Sequence, residues 1–406
     1  MNDSRFIQIH FLTSYAATLL NRDDAGMAKR LPFGGTTRTR VSSQCLKRHW
    51  RTADDVRALS RLEGVEMSLR SRHIFDMKVA PPLVAEGFSQ ALVDATLAVF
   101  QDQILGSSAR AKKAKADKAE QEETASSLQT SQVVILGWPE VRFIQEKARQ
   151  IMATNPDPKT VGKAVEKLFK DEKKNFQALL EAGRFPAGLD AALFGRMVTS
   201  DILSRIDSSI HVAHAFTVHT HELETDYFSA LDDLIQADGE LGSAHINDSE
   251  LTSGLFYGYV VVDVPLLVSN LSGCKASEWQ QADRGLASGV VENLIHLAAT
   301  VSPGAKKGST APYAYAEMVL VESGSRQPRT LANAFRQAVP NMGRNDIRDT
   351  AVAQLGAYLG QFDAMYGGGE VRRVATMADP GVLGAEPVGS LVDLARWAGS
   401  RVRGEG

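Results

Sequence analysis

Apolar and polar positions alternate from Phe6 to Leu12, with Ile7, Ile9 and Phe11 on one side. That period of two predicts a half-buried strand. The clearest strand signal is Leu255 to Val264, Leu-Phe-Tyr-Gly-Tyr-Val-Val-Val-Asp-Val, which is rich in β-branched and aromatic residues. Tyr315 to Val321 predicts another, and Val133 to Gly137 a short strand or buried turn. The period lengthens from Asp157 to Ala182, where Val161, Val165, Leu168 and Phe169 recur on one helical face with lysines outside. Asp157 and Pro158 suit a cap and a first helical residue there, and Gly183 a stop. Val41 to Trp50 predicts a helix capped by Ser42 or Ser43. Ala276 to Thr300 predicts a long helix ending near Pro303-Gly304, and Thr330 caps one through Ala338. Between Gly195 and Gly254 the period is broken by polar and His-rich segments, which predicts long excursions from a sheet, with Asp226 to Leu234 as a short acidic helix or turn. Gly367 to Gly406 gives no clear assignment beyond a small helix at Ser390 to Ala398. The order strand–helix, insertions, strand–helix–strand fits an α+β fold built on a βαββαβ-type sheet with large insertions.

Composition narrows the class. A chain of 406 residues with 44% hydrophobic content is long enough for two or three average domains or one elaborated domain. No stretch approaches the run of about 20 apolar residues that a membrane helix needs. Met1-Asn2-Asp3-Ser4-Arg5 leads into a strand without a signal-peptide core, so the expected location is the cytoplasm, with no membrane partner. Cys45 and Cys274 are too few and too isolated for a disulfide framework or a zinc site. Ser107 to Gln132 is rich in Ala, Lys, Glu and Ser and lacks core-forming residues, which predicts a disordered linker or a frayed solvent helix.

Charge changes the picture locally. The chain carries a net −3, yet Arg22 to Arg51 holds eight Lys or Arg (22, 29, 30, 38, 40, 47, 48, 51) against Asp23 and Asp24, a local excess of six. Inside that window lies Phe33-Gly34-Gly35-Thr36-Thr37-Arg38-Thr39-Arg40-Val41-Ser42-Ser43-Gln44-Cys45-Leu46-Lys47-Arg48. Glycines let a backbone approach a ligand closely, hydroxyls donate hydrogen bonds, and the cations come at strand spacing and then at helix spacing. Gln44, Lys47, Arg48 and Arg51 fall close to one helical face. Such a footprint can bind a polyanion, where an ordinary solvated strand edge would need no such pattern.

Other clusters carry less. His211, His214, His219 and His221, followed by Glu222, could suggest a metal, but they lack a Cys or carboxylate in a fixed pattern. They read better as strand histidines that hydrogen-bond to backbone or RNA. Asp23-Asp24 and Asp232-Asp233 could suggest metal-dependent phosphodiester chemistry, but neighbours on a strand face opposite ways, so a helix-start or inter-subunit ion-pair role is the better reading. Met197 reads as core filler on its own. Tyr257 and Tyr259 share a face and could stack on bases, although sheet core or cross-strand packing is the better reading. Lys306 and Lys307 form a basic loop.

The basic window, introduced by Asn21-Arg22-Asp23-Asp24, also carries a resemblance. Further motifs follow in order: Ala191-Ala192-Leu193-Phe194-Gly195-Arg196-Met197, His214-Ala215 with Thr217-Val218-His219, and Asp226-Tyr227-Phe228-Ser229-Ala230-Leu231-Asp232-Asp233. Then come Gly242-Ser243-Ala244-His245, Ser253-Gly254-Leu255-Phe256-Tyr257, Pro303-Gly304-Ala305-Lys306 and Leu331-Ala332-Asn333-Ala334-Phe335. Together they resemble the backbone subunit of the type I-E CRISPR surveillance complex Cascade, the CasC family, over roughly Phe6 to Phe335. The resemblance implies a modified ferredoxin-like or RNA-recognition-motif palm with a helical fingers insertion and a β-hairpin thumb. On that template residues 1–60 and 250–406 would be the palm, 61–190 the fingers with a linker at 107–132, and 195–250 the thumb.

The same resemblance implies a non-catalytic subunit without cofactor or metal that polymerises head to tail along a CRISPR RNA, beside other Cascade subunits, and presents the guide for pairing with target DNA. It implies that Arg38, Arg40, Ser42, Ser43, Gln44, Lys47 and Arg48 line the guide groove, with Asn21, Arg22, Arg196 and Lys306 close to the nucleic acid. Met197, Phe228 and Ser229 would wedge beside a kinked nucleotide, an arrangement that unstacks a base for a few kcal/mol per step. Where the family often carries basic residues this chain has Thr36 and Thr37, which removes two expected phosphate contacts. The rival readings are a metal-dependent ribonuclease and a stand-alone single-strand RNA-binding protein.

Overall fold

The structure is a computed structural model that describes residues 4–105, 128–181, 187–196, 205–231, 243–340 and 346–405. Its strands are β1 (Phe6–Thr18), β2 (Arg30–Phe33), β3 (Thr36–Val41), β4 (Leu69–Ser71), β5 (Val134–Leu136), β6 (Ile210–Val212), β7 (Ala215–Thr217), β8 (Leu223–Leu231), β9 (Ser243–Asp263), β10 (Ala316–Gly324), β11 (Val371–Thr376) and β12 (Glu386–Pro387). Its helices are α1 (Ser43–Arg51), α2 (Ala80–Ala85), α3 (Gln90–Leu105), α4 (Trp138–Thr154), α5 (Val161–Glu181), α6 (Leu189–Phe194), α7 (Val264–Ser272), α8 (Gly285–Thr300), α9 (Lys307–Thr310), α10 (Ile347–Tyr366) and α11 (Leu391–Arg403). The fold is α+β, with a large, mostly antiparallel sheet.

The chain divides into two compact units, one of Met1–Leu62, Ile210–Val264 and Arg284–Gly406, the other of Glu63–Ser209 and Pro265–Asp283. The first holds the large sheet, in the order β12-β11-β10-β1-β9-β7-β3-β2, with β6 and β8 also paired to β9. Among the described strands only β11 and β12 run parallel. Period-two patterning decides its two faces. Ile7, Ile9 and Phe11 of β1, with Val260 and Val262 of β9, are buried on the side where α8 and α11 pack. Gly258 lies opposite Phe11, and a Cβ there would come within 2.0 Å of the Phe11 ring, so the missing side chain makes room for an aromatic one.

The other face carries Leu12, Tyr257, Tyr259, Val261, Met318 and Leu320, and is covered by the turn Ala332–Phe335 and by α10. This face also contains a buried polar network. His10 and Glu322 are fully buried, and Tyr257 is 1% exposed. The Leu331 N–H donates to the Tyr257 hydroxyl (3.1 Å), which lies 2.9 Å from His10 Nδ1, while His10 Nε2 lies 3.1 Å from Glu322. Arg329 and Arg372 both donate to the Glu322 carboxylate. Tyr257 and Tyr259 are therefore packing residues of the sheet, and neither is open to a base.

The second unit is mainly helical. Phe75, Phe100, Leu136, Ile144, Val161, Val165 and Phe169 form its core, and the Phe100 and Phe169 rings meet edge to face at 5.4 Å. Val161, Val165 and Phe169 are the apolar positions that sequence spacing assigns to the inner face of α5, and that helix ends at Glu181. Of the expected linker at 107–132, residues 107–127 lie outside the described residues. No helix among the described residues is long and apolar enough to cross a membrane.

Three elements differ from expectation. The segment expected as an acidic helix or turn at Asp226 belongs to β8, an extended strand paired with β9 from Leu223↔Thr252 to Leu231↔Ser243. Alternation with a long partner strand overrides the local acidity. The helix expected from Thr330 to Ala338 is a single 3-10 turn, Ala332–Phe335, held in place by its neighbours. The long helix expected from Ala276 begins only at Gly285, after a separate 3-10 turn at Ala276–Glu278.

Candidate nucleic-acid interface

The basic window folds as a hairpin followed by a helix, all within the first unit. β2 and β3 pair with Phe33 opposite Thr36, leaving Gly34 and Gly35 as a two-residue loop. Both have positive φ, +62° and +80°. Two-residue hairpin loops with positive φ at both positions match the twist of the strands, and glycine adopts them at little cost.

β3 then hands the chain to α1. Ser42 is the N-cap, its hydroxyl accepting from the Cys45 N–H at 3.2 Å, so of the two candidate caps it is Ser42 that serves. The Ser42 N–H donates in turn to Asn21 Oδ1 at 2.9 Å. Asn21 opens a tight loop in which Asp23 Oδ1 accepts from the N–H groups of Ala25 and Met27, and Arg22 bridges to Ala28. Asn21 thus fastens that loop to the start of α1, and Asp23 closes the loop on itself. Leu46 and Trp50 bury one side of α1, leaving Gln44 and Arg48 exposed and Ser43 and Lys47 part-buried.

The cations of the window divide by environment. Arg38 is fully buried. Its guanidinium donates to Thr36 Oγ1 (2.8 Å), the Thr217 carbonyl (3.1 Å) and the Phe335 carbonyl (3.0 Å). Arg38 therefore ties β3 to β7 and to the turn Ala332–Phe335, and presents nothing to solvent in this conformation. Arg40, one strand repeat later, lies at the surface. It donates to the Arg30 carbonyl at 3.1 Å and approaches His214 Nδ1 at 3.2 Å.

Electrostatic linkage shows which cations are neighbours. Burial lowers the pKa of His214, helped by the charges of Arg40 and Lys29. Burial likewise lowers that of His49, helped by Lys307 and Arg48. The Cys45 thiol is raised by burial and eased back by Arg48 and Lys29. Lys29, Arg40, Arg48 and Lys307 therefore surround α1 and its flanks. The basic loop reaches this surface through a bond from the Ala305 N–H to the Leu19 carbonyl (2.9 Å), with Lys306 at the entrance of α9.

Five cations of this surface lack counter-charge. Among the described residues Arg22, Lys29, Arg40, Arg48 and Lys307 make no ion pair with a carboxylate. Within the window Arg30 does pair, with Glu250, as elsewhere in the same unit Arg326 pairs with Glu370, Arg348 with Glu317, and Arg373 with Glu386. Unpaired surface cations gathered around α1 of a mildly acidic chain create a local positive field suited to a polyanion.

The other expected contacts fall differently. Arg196 lies in the second unit and is 1% exposed, with Nη1 at 2.7 and 2.8 Å from the equally buried Glu140 carboxylate. Burial raises the Glu140 pKa and the Arg196 charge opposes that rise. In this position Arg196 is a structural ion-pair partner. Met197 lies outside the described residues, as do Asp232 and Asp233. Phe228 and Ser229 fall on β8 opposite Asn247 and Ile246, with their side chains outside the described part of the chain.

The histidines are engaged locally. His219 Nδ1 donates to the Thr220 carbonyl (2.7 Å) while Nε2 accepts from the Leu255 N–H (3.2 Å), which fixes a neutral tautomer. His221 Nδ1 meets the Thr39 hydroxyl. No group of three or more His, Cys, Asp or Glu able to hold a metal occurs among the described residues.

Comparison with known proteins adds the following. The family described as CT1975-like protein matches residues 7–393. None of the curated proteins compared matches the chain. A chain of the solved structure named "CRISPR RNA-guided surveillance complex, pre-nicking" is 25% identical, with a TM-score of 0.74, over 98% of this chain and 100% of its own length. A chain of another, named "CRISPR RNA-guided surveillance complex", is 21% identical with a TM-score of 0.54, over 97% of this chain and 99% of its own, a likeness of fold alone.

Proposed function

Because the chain belongs to the CT1975-like protein family, we propose that it is a CRISPR RNA-binding subunit of a Cascade-type surveillance complex. In this reading several copies assemble head to tail along one guide, as the backbone subunit of a type I-E complex, and other subunits of the complex bind alongside. A head-to-tail interface does not close on itself, so the RNA sets the length of the assembly. The protein holds phosphates, and base pairing with target DNA supplies sequence specificity. The subunit performs no chemistry itself. The name of the structure matched at 25% identity supports the complex, and the engagement of His219 and His221 in local hydrogen bonds supports a binding role over a catalytic one.

The observation that carries this reading is the unpaired cation cluster formed by Arg22, Lys29, Arg40, Arg48 and Lys307 around the β2–β3 hairpin and α1. Arg40 and Arg48, with Gln44 beside them, would meet the backbone. Single-strand binding through phosphates weakens linearly on a log–log salt plot, with a slope near −0.7 per neutralised phosphate. Titrating labelled single-stranded RNAs of increasing length across a salt series tests this. Arg40→Ala and Arg48→Ala should each flatten the slope by roughly 0.7, for any RNA sequence, and longer RNA should take up protein in fixed increments. Wild-type protein that binds no RNA at low salt, alone or with its partner subunits, rules the reading out.

A further inference from the structure

The turn that covers the aromatic face of the sheet also reaches the tip of the basic hairpin. Gly34 packs directly on residue 336: a Cβ on Gly34 would fall 1.7 Å from the Arg336 carbonyl oxygen. The neighbouring Phe335 carbonyl accepts from Arg38, so the same turn is fastened to β3 a few residues further on. Two more ties hold it from behind. The Leu331 N–H donates to the Tyr257 hydroxyl at 3.1 Å, and the Gln354 side chain donates to the carbonyls of Ala334 (2.8 Å) and Gln337 (3.1 Å). Backbone on both sides of Arg336 is therefore fixed.

The side chain of Arg336 is exposed, and it makes no ion pair or hydrogen bond among the described residues. The hairpin tip beside it carries no charge of its own. Thr37 is exposed and neutral, and Thr36 Oγ1 is engaged with Arg38 Nε and the Phe33 carbonyl. Nothing in the sequence pattern of the hairpin points to residue 336, because nearly three hundred positions separate them.

We propose that Arg336 supplies the phosphate-binding cation at the tip of the β2–β3 hairpin, extending the cation cluster around α1 to the glycine turn. This inference rests on the reading of that cluster as an RNA surface. A guanidinium displayed from a fixed turn can donate two hydrogen bonds to one phosphate with little ordering of the protein. The adjoining Gly35 backbone, with open space around it, leaves room for a strand to come close.

The test uses the full chain and labelled single-stranded RNA at several salt concentrations. Arg336→Ala should weaken binding and flatten the salt slope by about 0.7, the loss of one contact, without moving the unfolding midpoint. Arg336→Lys should keep most of the slope. Thr37→Arg placed in the Arg336→Ala background should restore it, since the charge returns to the same tip. Arg48→Ala serves as the reference for the wider surface. An Arg336→Ala protein with unchanged affinity and slope, alongside a weakened Arg48→Ala protein, overturns the role of Arg336 and leaves the RNA surface standing. If neither variant differs from a wild type that binds RNA, both readings fall.

Discussion

Arg38 and Arg40 show how far two residues of one type, two positions apart on one strand, can diverge. Side chains at that spacing share a face. Arg38 sits beneath the turn Ala332–Phe335 and is fully buried, whereas Arg40 lies where β3 runs out from under it. The three acceptors of Arg38 include two carbonyls that no other described side chain is shown to satisfy. Removing a charged donor from buried acceptors costs about 1.5–3 kcal/mol. Arg38→Ala should therefore lower unfolding stability by about that amount, while Arg40→Ala stays within about 0.5 kcal/mol of wild type, as a surface substitution does. Chemical denaturation separates the two, and an Arg38→Ala protein as stable as wild type would refute the buried-strut role.

At the scale of elements, the basic surface depends on a hairpin that only glycine can turn in this setting. Gly34 has φ of +62° and no room for a side chain against the Arg336 carbonyl. Gly35 has a similar φ but open space around it. The pair makes an internal control. Gly34→Ala should destabilise the protein by about 2 kcal/mol or more, through strain and overpacking together, and Gly35→Ala by about 1 kcal/mol through strain alone. Thermal unfolding would show the ranking, and equal losses at the two positions would contradict the close approach of the turn. The β8–β9 hairpin teaches the converse. Its acidic residues invite a turn or helix locally, yet continuous pairing with a long neighbour makes it a strand. Sheet pairing commonly outweighs local preference.

On the scale of the whole molecule, the network around Glu322 joins β1, β9, β10 and β11 to the segment that carries Arg329 and Leu331. Burial alone would raise the Glu322 pKa, but bonds from Arg329 and His10 outweigh it, and the carboxyl is held well below its usual range. Burial lowers the pKa of His10 from its ordinary 6.5, against the pull of Glu322. Both groups then bind fewer protons folded than unfolded over the acidic range. Their contributions are complete above the unfolded pKa values and are lost as pH falls, first for His10 below about 6.5 and then for Glu322 below about 4.5. The urea midpoint should fall between about pH 7.5 and pH 5, and His10→Gln should flatten that part of the profile. A midpoint independent of pH in that window would show that His10 titrates alike in both states. Removing one partner from a buried ionic network typically costs about 3–5 kcal/mol, so Glu322→Gln should be among the most damaging single changes.

Sequence by itself determined the mixed α+β class, the strands at β1, β9 and β10, the helix α1 with a serine, Ser42 or Ser43, at its head, and the inner face of α5. Those are local properties, set by period and by capping chemistry within a few residues. It also located the basic window, because charge density is countable along a chain. Only tertiary structure decided which cations of that window face outward. Arg38 within the window, like Arg196 outside it, is charged like the rest, but each lies where buried acceptors hold it inside, and those acceptors come from Thr217, Phe335 and Glu140, distant in sequence. Arg336 gave no signal at all, since its place beside Gly34 is created by a contact between the hairpin and a turn from near the other end of the chain. Burial and proximity between remote segments are properties of the packed chain, and no pattern of period or composition encodes them one residue at a time.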